Sequence, residues 1–254
     1  RFTIVAALFI LASLPPIYRA FSAALDRIRH PSIAARFKTA IAVFLVATPF
    51  LIWTGFYQHR ELFPKIHDES MHVLQMRLLS TGRLWTASHP LADSFEASHI
   101  FVKPVYASMY FPGTALVYVP AIWLHLPYWL LPSIVAGASV GLIYYIVTDL
   151  LDGVAGVLAA LLLLSLNTFR YLSMVVMSHS VMLLLGLLMI VAWLRWRRKP
   201  TLAGAAIIGA VAGLAAITRP VDALCYAIPI GIAMLFTLRT LQLRRSIAIG
   251  ACVC

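Results

Sequence analysis

Apolar runs alternate with short polar intervals along almost the whole chain, and several approach the about 17–25 residues a helix needs to cross a bilayer. The pattern predicts spans at Phe2–Tyr18, Thr39–Tyr57, Leu131–Val147, Val154–Phe169, Val181–Leu194, Leu202–Ile217 and Ala223–Leu238, with an eighth beginning at Ile247. The long exception is the polar interval from Gln58 to Phe111. Within it, His67–Ser80 reads as one helix: Met71, Leu74, Leu78 and Leu79 form an apolar stripe, and the pattern stops at Thr81-Gly82. Such a helix is expected to lie on the membrane surface.

The positions of the basic residues turn these spans into a topology. Arg19, Arg27, Arg29, Arg36 and Lys38 precede or open the second span; Arg195, Arg197, Arg198 and Lys199 follow the fifth; Arg239, Arg244 and Arg245 follow the seventh. Placing all three clusters on the cytoplasmic side leaves the charge-balanced loop outside. Counting back from Arg195, the chain before Leu131 must already be outside. The apolar stretch Phe111–Leu130, interrupted by Pro112, Pro120 and Pro127, is therefore expected to be a juxtamembrane or re-entrant element, not a crossing. The expected organisation is an N-terminal membrane segment with a basic linker over 1–38 and one transmembrane module over 39–254, whose outer loop covers 58–130. The fold class is all-α: a polytopic transmembrane helical bundle with a long outer loop carrying juxtamembrane helices.

Composition agrees with this picture. Of the 254 residues, 62% are hydrophobic and 11% charged, against about 45–50% and 25% in a soluble domain; the mean hydropathy is +0.91. The lipid bilayer is the expected solvent for much of the chain. A formal net charge of +11 invites a nucleic-acid reading, but the cations sit in clusters between apolar runs, so no nucleic-acid partner is expected. Cys225 lies inside an apolar run and Cys252 and Cys254 at the end, so no disulfide framework is expected. The opening at Arg1 and the unfinished last run lead to the expectation of a piece of a longer protein.

Candidate chemistry concentrates in the outer loop. Asp68 and Glu69 open the 67–80 helix within His67-Asp68-Glu69-Ser70-Met71-His72. A partly desolvated carboxylate at a membrane boundary can act as a general base, or it can orient a cation that neutralises a phosphate. The plainer reading makes Asp68 a helix N-cap and Glu69 a first-turn residue favoured by the helix dipole. His67, Asp68 and His72 could hold a metal, since Asp68 and His72 share a helix face, but no standard zinc spacing is present. A divalent metal is thus neither required nor excluded. Lys103 and Tyr110, with their aromatic neighbours, suit either a headgroup belt or a lipid-phosphate contact. Arg219 and Asp222, in Thr218-Arg219-Pro220-Val221-Asp222, are a functional pair or a simple capping pair at a membrane boundary. Arg170 and His179 flank the other short outer loop and could face the same cavity as Asp68.

The order of these motifs resembles the GT-C superfamily of membrane glycosyltransferases, which includes protein O-mannosyltransferases and the aminoarabinose transferase of lipid A. The matching elements are Asp68-Glu69 on a helix ending in Thr81-Gly82-Arg83-Leu84, then Tyr110-Phe111-Pro112-Gly113, then Thr218-Arg219-Pro220 after a Gly/Ala-rich span. They cover roughly Thr39 to Leu238, and their order carries the likeness because each is short. The resemblance implies transfer of a sugar, with inversion, from a polyprenyl-phosphate-linked donor to a glycan, lipid or protein acceptor in the cell envelope. It also implies a multi-pass protein of a bacterial inner membrane with its site facing outward. Asp68 would take the catalytic acidic position and Glu69 would assist; His72, Lys103, Tyr110, His179, Arg219 and Asp222 are the candidates for substrate binding. One departure stands out: many relatives carry a further Asp in the second outer loop, where this chain reads Met177-Ser178-His179-Ser180. The competing class is a polytopic lipid or solute transporter or flippase, against which the ionisable residues gather in one outer loop and no inverted repeat is visible.

Overall fold

The computed structural model of the protein describes residues 15–238. The expected first span falls mostly outside these residues; the eighth span, the Arg239–Arg245 cluster, Cys252 and Cys254 fall wholly outside them. The described chain is a helical membrane bundle. Helix α1 (Pro15–Arg29) occupies the stretch expected to be a basic linker. Helix α2 (Ile33–Tyr57) starts earlier than the hydropathy pattern placed it, because Ser32 caps it by accepting from the Ala35 N–H. Helix α3 runs from His67 to Ser80. A small antiparallel sheet follows, with β1 (Thr86–Ala87) and β2 (Ile100–Phe101) pairing on either side of β3 (Val105–Ser108).

Helix α4 (Gly113–Trp123) has 11 residues, about 16 Å of helix, and cannot cross a hydrocarbon core of about 30 Å. It lies along α3, and the Trp123 indole donates to the Ser80 carbonyl at 3.1 Å. Charge parity had demoted this stretch despite its apolar composition. Among the described residues, four helices are long and apolar enough to span by length and composition: α2, α5 (Leu130–Leu150), α8 (Ser178–Trp196) and α10 (Pro220–Leu238). Between them come α6 (Gly153–Ser165), the short α7 (Asn167–Leu172) and α9 (Leu202–Ala216). The span expected at Val154–Phe169 is thus broken at Leu166, and α6 and α7 share the path between α5 and α8.

Contacts identify the two ends of the bundle. At one end the Asp149 carboxylate, 1% exposed, accepts from Arg36 and, at 2.6 and 2.7 Å, from Arg198. Arg29 lies 3.6 Å from Asp152, which also caps α6 through the Ala155 N–H. A buried carboxylate is tolerated only with such pairing, so these residues tie α1, α2, α5, α6 and the end of α8 together. At the other end α3, α4, the 173–177 loop and the α9–α10 turn converge.

Packing encloses α3 more than a helix lying free on a membrane surface would be. Its stripe residues Met71, Leu74, Leu78 and Leu79 are half-buried, whereas Glu69, His72, Val73, Gln75 and Met76 are buried. Val73 and Met76 join Tyr118 of α4, Val176 and Val181 in one apolar cluster. The helix is covered by protein on two sides, so polar residues that pattern reading assigned to water are enclosed.

Candidate active site

A cavity of about 440 Å³ opens at this second end, lined by Asp68, His72, Tyr110, Met177, Ser178, His179, Arg219 and Asp222 among others. Its two walls come from distant parts of the chain. One is α3 with the strand-to-helix segment at Tyr110; the other is the start of α8 with the α9–α10 turn.

The two walls are joined at Gly113. Its N–H donates to the Ile217 carbonyl at 2.8 Å. A Cβ at this position would collide with Thr218 Oγ1 and come within 2.7 Å of the Ile217 oxygen. Only glycine permits that approach, and Thr218 is fixed in turn by donating from Oγ1 to the Leu214 carbonyl at 2.7 Å. The Tyr-Phe-Pro-Gly and Thr-Arg-Pro motifs are therefore two halves of one joint.

On the first wall, the Asp68 side chain is 36% exposed and lies 3.7 Å from His99 Nδ1. It does not cap α3: Ile66 occupies the N-cap position. The Tyr110 hydroxyl hydrogen-bonds the Asp68 carboxylate; burial, then this bond and the nearby charge, push the Tyr110 pKa up to about 12. Tyr110 also stacks with His99 at 5.5 Å and contacts the His72 ring at 4.7 Å, and its carbonyl accepts from Gln75 at 2.8 Å. His72 is 2% exposed and its Nδ1 has no partner. Burial lowers its pKa to about 4, against the opposing pull of Asp68 and with the added push of His179, so the ring is neutral at pH 7.

Glu69 turns away from the cavity. It is 7% exposed and accepts from the Val176 N–H at 3.0 Å, fastening α3 to the 173–177 loop. Burial raises its pKa, while hydrogen bonds from the backbone of Val176 and Lys65 pull it back down. Lys103 does not line the cavity either: it pairs with Asp93 at 2.6 Å on the surface. Arg170 lies outside the lining as well, its carbonyl accepting from Arg60.

On the second wall, Arg219 Nε pairs with Asp222, and its Nη1 lies 3.4 Å from Ser178 Oγ. Asp68 and Asp222 against Arg219 leave the lining with one formal negative charge while both histidines are neutral. Among the described residues, no group of three or more His, Cys, Asp or Glu is placed to hold a metal ion. Sequence reading missed His99, Ser178 and Gln75 as parts of this site. His99 carried no signal in the sequence that set it apart; the structure places it, with a left-handed backbone (φ 66°), at the entry to β2.

Residues 125–254 match the family model described as dolichyl-phosphate-mannose-protein mannosyltransferase. No curated protein and no solved structure matches. The matched segment covers just over half the chain and holds His179, Arg219 and Asp222, the second wall of the cavity. With its bundle of apolar helices, the chain belongs to the dolichyl-phosphate-mannose-protein mannosyltransferase family of membrane glycosyltransferases.

Proposed function

We propose that the cavity transfers a sugar from a polyprenyl-phosphate donor to a hydroxyl of a cell-envelope acceptor, with inversion, and that Asp68 is the general base. The observation that carries this reading is the solvent-reachable Asp68 carboxylate, on one wall of the cavity, opposite the Arg219 guanidinium on the other. In a single displacement the acceptor oxygen attacks the anomeric carbon while its proton passes to Asp68. The bond from that carbon to the phosphate oxygen breaks, and the phosphate leaves with the electron pair. Base and leaving group then act on opposite faces of the sugar, as in the inverting arrangement of glycosidases.

Arg219 suits the leaving phosphate. The 3.4 Å contact with Ser178 is weak enough for a phosphate oxygen to replace, and positive charge there favours the departing anion. The Tyr110 hydroxyl orients the Asp68 carboxylate, the buried His72 ring packs against Tyr110, and His179 borders the donor side. A bacterial inner membrane with the cavity facing outward fits the basic end formed by Arg29, Arg36 and Arg198.

Asp68→Asn in the full-length protein tests the assignment by sugar incorporation into an envelope glycan. Loss of a general base predicts a fall of about 10²–10⁴ with unchanged melting temperature. Undiminished incorporation sinks the role given to Asp68.

A further inference from the structure

The opposite end of the bundle holds two adjoining cavities that the transfer reaction does not use. The first, about 250 Å³, lies between α2, α5 and α8 and is lined almost wholly by apolar side chains such as Phe44, Leu142 and Leu184. The second, about 290 Å³, lies between α8 and α9 and includes Lys199 and Thr201. Both share Leu188, Val191 and Arg195, so an apolar slot along α8 ends where a second, cationic recess begins. From Leu184 to Arg195 the slot follows α8 for about 16 Å.

The charges at this end are unevenly satisfied. Asp149 is taken by Arg36 and Arg198, and Asp152 by Arg29 and the start of α6. Among the described residues no carboxylate pairs with Arg195, Arg197 or Lys199. Arg195 rests over the Tyr145 ring at 5.9 Å and Arg197 over Trp193 at 5.0 Å, contacts that hold a cation without neutralising it. Arg195, in the last turn of α8 and about 26 Å along it from Ser178, and Lys199, just past its end, stand at the mouth of the apolar slot.

We propose that this is a binding site for an anionic phospholipid of the cytoplasmic leaflet. Its phosphate sits between Arg195 and Lys199, and one acyl chain lies in the slot past Leu188. Charge complementarity selects an anionic headgroup, and basic recesses between helices on the cytoplasmic side suit such lipids. A free anion would satisfy the cations but leave the apolar slot uncovered. The bound lipid would brace the inner end of α8, whose outer end carries Ser178 and His179.

The test uses full-length protein in detergent with equal amounts of phosphatidylglycerol and phosphatidylcholine, and native mass spectrometry to count retained lipids. Phosphatidylglycerol should be retained about thirtyfold over phosphatidylcholine, the ratio that two basic side chains supply at a membrane surface. Arg195→Gln with Lys199→Gln should abolish the preference, and Arg195→Lys should keep it. The wild-type competition stands by itself if the double variant fails to fold. Equal retention of the two lipids overturns the proposal, as does a folded double variant that still prefers phosphatidylglycerol. Thermal stabilisation by inorganic phosphate alone, equal to that by phosphatidylglycerol vesicles, also overturns it.

Discussion

Replacing Glu69 separates a structural carboxylate from a catalytic one. Its Oε1 is the acceptor for the N–H of Val176, a residue with 0% exposure, across 107 positions of sequence. Glu69→Ala leaves that buried N–H without a partner, which costs about 1–3 kcal/mol, and removes packing between α3 and the loop that carries Met177 and Ser178 into the cavity. Glu69→Gln keeps an oxygen in the same place and relieves the desolvation that raises the Glu69 pKa. The alanine variant should therefore melt several degrees lower and lose activity with its fold, whereas the glutamine variant should stay within about threefold of wild type, under 1 kcal/mol. The assays are thermal unfolding and sugar incorporation, both on the full-length protein. If Glu69 instead takes the acceptor proton, the glutamine variant would fall by about 10²–10⁴ at full stability. That result would refute the tether.

Two further outcomes follow from the same geometry. Gly113→Ala forces a Cβ against Thr218 and the Ile217 carbonyl, an overpacking cost of about 1–3 kcal/mol; it should reduce sugar incorporation at least about tenfold, and unchanged activity would contradict the joint between the walls. His72, whose pKa burial lowers from 6.5 to about 4, is neutral in both states above that window. Between about pH 6.5 and 4 the unfolded chain takes up a proton that the folded ring refuses. Stability should fall with pH there by up to about 3 kcal/mol, while His72→Gln removes that part of the slope; parallel melting profiles of the two proteins would count against it.

Much of this was legible in the chain. The bounds of α3 followed from a stripe that ends at Thr81-Gly82, and charge parity identified α4 as no crossing although its composition alone reads as a span. Asp68, His72, Tyr110, His179, Arg219 and Asp222, singled out from separate segments, line one cavity. What escaped was direction. Adjacent residues on a helix diverge by about 100°, so Asp68 and Glu69, read as a pair, face a cavity and a buried loop respectively. Lys103 was read against the membrane boundary, but its partner Asp93 arrives through the fold of the small sheet, which local sequence does not announce. The α3 stripe identified a helix without revealing that α4 and Val176 would cover its polar side as well.

The interlock at Gly113 gives the two walls different kinds of dependence. The wall bearing Arg219 and Asp222 is built by the turn between α9 and α10, within the segment that matches the family. The wall bearing Asp68 belongs to α3, which lies outside that segment and is held by Glu69 to Val176, by Gln75 to Tyr110 and, through α4, by Gly113 to Ile217. Each of these ties ends on a backbone group, so none of them specifies the chemistry of a substrate. These backbone ties position α3 as a whole, whereas Tyr110 both borders Asp68 and lines the cavity. If the proposed reaction holds, a change of acceptor should fall to the exposed rim around Asp68 and His99, and substitutions there should leave the Arg219–Ser178 contact unchanged.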